Sequence, residues 1–159
     1  MLREALVHIS PTVRVTAFSA LSHQKKKGEA PCDQEMKMIR KFVEENLTVD
    51  SPSFRQEFTS DFTSLMIRCR NFCVANFKRN VAVVDVVIRH LDSISKSLLS
   101  NLFPGANYQR LITSLDFLKI FSLILHDYEP GEFFTLKKVE ELFSIKYFVT
   151  KLNILKSFL

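Results

Sequence analysis

Asp50-Ser51-Pro52-Ser53-Phe54-Arg55-Gln56-Glu57-Phe58 reads as the start of a helix. Asp50 or Ser51 can offer a side-chain oxygen to the free N–H groups of a first turn. Pro52 fits the first helical position, where its missing N–H costs nothing. From there Phe54, Phe58, Phe62, Leu65, Met66, Cys69, Phe72, Cys73 and Phe77 recur in steps of three and four, which gathers them on one stripe. The spacing predicts a long amphipathic helix. Its other face, with Arg55, Glu57, Asp61, Arg68, Arg70 and Arg79, is expected to be solvated.

Working outward, the same start occurs earlier as Ser10-Pro11-Thr12-Val13-Arg14-Val15-Thr16-Ala17-Phe18, after a short helix over Leu2 to Ile9. Ser10 is the expected cap. Proline, the arginine three residues on and the apolar run repeat at a spacing of 41, within the ~40–47 residues of HEAT and armadillo helix pairs. A third start follows the turn Phe103-Pro104-Gly105-Ala106, with Asn107 as cap and Arg110 in the arginine's place, 55 residues after Arg55. Pro11-x-Val13-Arg14-x-x-Ala17 and Pro52-x-Phe54-Arg55 resemble the segment that opens the inner helix of HEAT repeats. That resemblance implies that Arg14, Arg55 and Arg110 bond to the adjoining repeat. Loss of Arg55 is then expected to reduce stability.

Between these starts, Asp33 is the expected cap of a helix over Gln34 to Asn46, with Met36, Ile39, Phe42 and Val43 inward, forming the outer member of a pair with the Asp50 stretch. Val81 to Ile88 is rich in β-branched residues, so a strand is conceivable. However, Val84, Val87, Ile88, Leu91, Ile94, Leu98 and Leu102 keep helical steps and favour a helix. Tyr108, Leu111, Ile112, Leu115, Leu118 and Ser122 to Leu125 are expected to continue from Asn107. Glu129-Pro130-Gly131 reads as a turn, and Thr135 as the cap of last helical segments around Val139, Leu142, Phe143, Phe148, Val149, Leu152 and Leu155. Residues 144–159 carry no acidic residue and no further Pro-x-x-Arg start.

The expected class is all-α, a HEAT/armadillo-like α-solenoid of about three to four helix pairs, with repeats starting near residues 10, 51 and 104. Residues 1–159 form one helical-repeat domain in this reading, a portion of a larger solenoid whose last segment is covered. Composition agrees: 47% hydrophobic residues and 15 Phe supply a core. Only 3 Gly leave little material for hairpins or cofactor-cradling loops.

Chemistry is harder to build. Gly28, Gly105 and Gly131 lie in separate loops, so no glycine-rich phosphate or dinucleotide loop forms. His8, His23, His90 and His126 have no acidic or cysteine partner at metal spacing, and Asp92 points away from His90 on a helix. Cys32, Cys69 and Cys73 are expected to be buried reduced thiols. Glu44-Glu45 and Glu140-Glu141 read as solvating pairs. No catalytic, cofactor-binding or metal-ligating residue is expected. Twenty-two basic against 17 acidic residues give a net charge of +5, suited to a phosphate backbone or an acidic partner. On charge, the candidate contacts are Lys25, Lys26, Lys27, Arg68, Arg70, Lys78 and Arg79. For the three lysines a nuclear signal is a further alternative, and a merely solvated loop is the favoured one. The apolar runs are too short or too charge-broken to span a bilayer, and a soluble, cytoplasmic protein is expected.

Three strings together, Leu2-Arg3-Glu4-Ala5-Leu6 through Phe18, Asp50 to Gln56, and Leu102-Phe103-Pro104-Gly105-Ala106-Asn107-Tyr108, resemble the central part of the thyroid-adenoma-associated protein (THADA) family. The Phe-Pro-Gly-x-x-Tyr turn is the most specific piece. The resemblance implies a small portion of a very large helical-repeat protein. It also implies a non-catalytic partner of a tRNA ribose 2′-O-methyltransferase acting on the anticodon loop, with the large subunit helping to bind the tRNA. The alternative is a HEAT-type protein–protein adaptor unrelated to RNA.

Overall fold

The computed structural model describes residues 1–23, 29–76 and 78–125. These form α1 (Leu2–Leu6), α2 (Pro11–Ser22), α3 (Asp33–Asn46), α4 (Pro52–Asn76), α5 (Val81–Ser100) and α6 (Tyr108–Leu125), with no strand among the described residues. Val81–Ser100 is therefore helical throughout, its β-branched start included.

The starts differ in how they are capped. Ser51 accepts from the Phe54 N–H through Oγ at 3.4 Å, and Asn107 accepts from the Arg110 N–H through Oδ1 at 3.1 Å. Ser10 has the extended backbone of a cap but makes no side-chain cap bond. For α3 the expected cap moves by one residue. Cys32, not Asp33, is the N-cap: its Sγ accepts from the Glu35 N–H at 3.5 Å while Glu35 Oε2 accepts from the Cys32 N–H at 2.8 Å. This is a reciprocal capping box with sulfur in the hydroxyl's place. Cys32 is accordingly exposed, against the expectation of burial, whereas Cys69 and Cys73 are buried.

Helices α2, α4 and α6 stack side by side in one layer, and α3 and α5 stack in a second, with α1 against α2. The expected pairing of α3 with α4 is corrected: α3 lies along α2 and α5, and α4 along α5. A helix that follows an inner helix by a short link packs back on it, so the pairs are α2/α3 and α4/α5. Phe42 still reaches across from α3, stacking on Phe18 at 4.6 Å and meeting Phe58 edge-on at 5.3 Å. Phe58 is also edge-on to Phe18 at 5.1 Å and to Phe117 at 4.8 Å, so one ring joins α2, α3, α4 and α6. Phe62 stacks on Phe117 at 4.1 Å and extends the cluster to Phe121. Each such pair adds ~0.5–1.5 kcal/mol beyond its area burial.

The α4 stripe is buried from Phe54 to Cys73 except at Phe72, which is half-buried. It also contains Asp61, expected on the solvated face and found 6% exposed. The reason is periodicity: Phe58 to Asp61 is a step of three and Asp61 to Leu65 a step of four, so position 61 lies on the stripe whatever its charge. In α6 the buried side is Thr113, Ser114, Phe117, Leu118, Phe121 and Leu125. Leu111, Ile112 and Leu115 are half-buried and Tyr108 is 75% exposed. A helix apolar on nearly every face gives periodicity no single answer. The turn before it is closed by the Ala106 N–H on the Phe103 carbonyl at 3.1 Å. Gly105 has φ +84° there, as position i+2 of a type II turn requires, with Pro104 at i+1. The expected turn at Glu129–Gly131, the Thr135 cap, the helical segments beyond it and the departure at 144–159 lie outside the described residues, as do Phe77, His126 and Lys25 to Lys27.

Candidate functional site

Arg14 and Arg55 hold the same place in their helices. Each donates its backbone N–H to the cap carbonyl, Arg14 to Ser10 at 3.2 Å and Arg55 to Ser51 at 2.9 Å. The Arg14 side chain bonds within its own helix pair and meets the next through Phe54, whereas that of Arg55 bonds to the next through Gln109. Arg14 Nε donates to Asn46 Oδ1 at the end of α3 at 2.9 Å, and its guanidinium lies 5.8 Å from the centre of the Phe54 ring. Nη1 of Arg14 holds the carbonyls of His8 at 2.8 Å and Ile9 at 3.0 Å. Asn46 is itself buried and donates to the Phe42 carbonyl at 2.9 Å. Nη1 of Arg55 donates to Asp50 Oδ1 at 2.6 Å and to Gln109 Oε1, on the first turn of α6, at 3.2 Å.

Arg110 does not hold this place. Leu111 is the residue whose N–H meets the Asn107 carbonyl, at 3.0 Å, so Arg110 stands one position early and about 100° round the helix. Its side chain makes no hydrogen bond to another described residue. Pro104 precedes Arg110 by six residues, against three from Pro11 to Arg14 and from Pro52 to Arg55, so the third start is built differently from the first two.

Of the residues chosen on charge, Arg68 is turned inward to the chain's own carbonyls. Its Nε donates to Glu29 O at 2.8 Å and its Nη1 to Leu21 O at 2.9 Å, so it ties α4 to the end of α2 and to the link that precedes α3. These carbonyls give Arg68 a structural part in the packing of α2 against α4. Arg70, half-buried on α4, and Lys78, exposed beyond it, are each engaged in an interaction. Arg79 is exposed in the same turn as Lys78. Lys25, Lys26 and Lys27 lie outside the described residues.

Two polar contacts were not legible in the sequence. Ser19 Oγ donates to Asp61 Oδ1 at 3.2 Å, with His23 Nδ1 3.6 Å from the same oxygen, which ties α2 to α4. Burial pushes the Asp61 carboxyl above its ordinary value, against the hydrogen bond from Ser19. His90 Nε2 meets Asp33 Oδ1 at 2.8 Å, joining α5 to α3, while Lys37 pairs with the other Asp33 oxygen at 2.6 Å. The Lys37 hydrogen bond, with that of His90, lowers the Asp33 carboxyl. Cys69 is raised to about 12 by burial, with Cys73 beside it, so it is an unreactive thiol at neutral pH. Among the described residues no group of three or more His, Cys, Asp or Glu side chains could hold a metal, and no helix is long and apolar enough to cross a membrane.

A groove of about 480 Å³ opens where α4 and α6 begin. Arg55, Gln56 and Thr59 line one side, and Tyr108, Gln109, Ile112, Thr113 and Asp116 the other.

Stacked helix pairs, with inner helices α2, α4 and α6 side by side and Arg55 bonded across to α6, define a helical-repeat α-solenoid. A family model described as "Trm732, TPR repeats" matches residues 1–156, and the chain belongs to that family. The chain is similar to the tRNA (32-2′-O)-methyltransferase regulator THADA of Homo sapiens, at 23% identity over 94% of this chain and 8% of the relative. It is likewise similar to the protein of the same name from Chlorocebus aethiops, at 23% identity over 79% of this chain and 7% of the relative. The chain thus spans less than a tenth of the length of these relatives. No solved structure matches. The family's description names TPR repeats, whereas the 41-residue step from Pro11 to Pro52 exceeds the ~34 of a regular TPR and lies in the ~40–47 range of HEAT and armadillo pairs.

Proposed function

We propose that this chain is a non-catalytic, helical-repeat part of a regulator of tRNA ribose 2′-O-methylation. The observation that carries the reading is the family match over residues 1–156, whose similar proteins are named as regulators of a tRNA methyltransferase. In this reading residues 1–159 act as one helical-repeat domain in the cytoplasm. Arg14 and Arg55 hold successive repeats in register. The partners are a tRNA 2′-O-methyltransferase and its tRNA. Arg70, Lys78 and Arg79, with Lys25, Lys26 and Lys27, supply positive charge toward the phosphate backbone. Arg68 is assigned to structure instead.

The test is deletion of the gene encoding the chain, followed by measurement of ribose methylation at tRNA position 32. Methylation is expected to fall while tRNA abundance holds, and unchanged methylation would overturn the reading. Affinity purification separates the alternative. Recovery of a methyltransferase supports the proposal, whereas nuclease-resistant recovery of other proteins without one makes the chain a protein–protein adaptor.

A further inference from the structure

The groove at the beginnings of α4 and α6 has a composition that the packing of the core does not explain. Tyr108 occupies the first position of α6 and is 75% exposed, so its ring contributes little to the core and lines the groove. Across from it is Arg55. Both of its described hydrogen bonds leave from Nη1, so Nε and Nη2 retain donors. Gln56 and Asp116 are exposed, one an amide that donates and accepts, the other a carboxylate that accepts.

An exposed aromatic face, a guanidinium and amide and carboxylate groups around a concavity of about 480 Å³ match the chemistry of one unstacked nucleotide. The base stacks on the aromatic ring, the guanidinium meets the phosphate, and the acceptor takes a hydrogen bond from an exocyclic amine or a ribose 2′-hydroxyl. A paired base presents none of its face, so such a groove discriminates loops from duplex. We infer that this groove receives an unpaired nucleotide of an RNA loop, with Tyr108 as the stacking platform. The inference rests on the proposed RNA-linked function and adds a position that charge alone did not single out.

Binding of the full chain to two labelled RNAs tests it: an anticodon stem-loop, and a fully paired duplex of equal length. The wild-type protein is expected to prefer the stem-loop. Tyr108→Ala is expected to weaken stem-loop binding roughly tenfold, within the range for loss of one stacked base, and to leave duplex binding unchanged. Tyr108→Phe keeps the ring and is expected to bind as wild type, with circular dichroism showing that both variants fold. Stem-loop binding unaffected by Tyr108→Ala, or lost equally for both RNAs, would overturn the inference while leaving the proposed function standing. Absence of any RNA binding by the wild-type chain would overturn the inference and remove tRNA contact from the proposed function.

Discussion

The step from α2 to α4 and the step from α4 to α6 begin with the same local chemistry and end differently. At the first, Arg14 is half-buried, engages three oxygens and covers the face of Phe54. At the second, Arg55 bonds one carboxylate, of a residue with an 85% exposed side chain, and one amide. The third start puts Leu111 where the arginine was. What distinguishes the two arginines is the partner. Asn46 is buried and has its own carbonyl to serve, so Arg14 completes a closed polar network. Asp50 can turn to water when Arg55 is removed. The contact that repeats in sequence is therefore not equally strong in each repeat.

The largest effect is expected where both steps meet. Phe58→Ala removes the ring shared by Phe18, Phe42 and Phe117 and is expected to lower unfolding free energy by about 3–5 kcal/mol in urea titrations. Arg14→Ala is next. It leaves a buried Asn46 acceptor without its partner, at a cost of about 2 kcal/mol. Arg55→Ala is expected to cost about 0–1 kcal/mol, the range of exposed pairs. Equal losses at the two arginines would erase the distinction drawn between the steps.

The smallest effect concerns Asp61 and is read through pH. Its folded pKa is raised above 3.8 by burial, so the folded state binds more protons than the unfolded state between that value and the raised one. The stabilisation is fully present below pH 3.8 and is lost as pH rises through the folded pKa. Asp61→Asn keeps an oxygen for Ser19. It is expected to leave stability at pH 7 unchanged or slightly higher, and to flatten the acid side of the profile. A variant that is clearly less stable at pH 7 would mean that His23 outweighs the burial of the carboxylate.

Much of the architecture was legible because helical steps and cap residues are local signals. Pro11 and Pro52 located two starts, and the Phe54 to Cys73 stripe located the core face of α4. The failures share a cause, which is chemistry decided by a neighbour distant in sequence. Asp61 was judged by its charge and not by its position on the stripe, and its partner Ser19 lies 42 residues away. Arg68 was judged by its charge, whereas carbonyls 39 and 47 residues away hold it. Cys32 escaped notice because a thiol is an uncommon cap. For the groove, the Phe-Pro-Gly-x-x-Tyr string was visible, but only the approach of α4 and α6 shows what stands opposite Tyr108.

A double-mutant cycle on Arg14 and Asn46, with Arg14→Ala, Asn46→Ala and the pair compared in urea unfolding, addresses the tie that closes the first helix pair, α2 on α3. We expect a coupling energy of at least about 1 kcal/mol. Losses that simply add, to within about 0.5 kcal/mol, would mean that the arginine at the fourth helical position does not hold α2 to the end of α3.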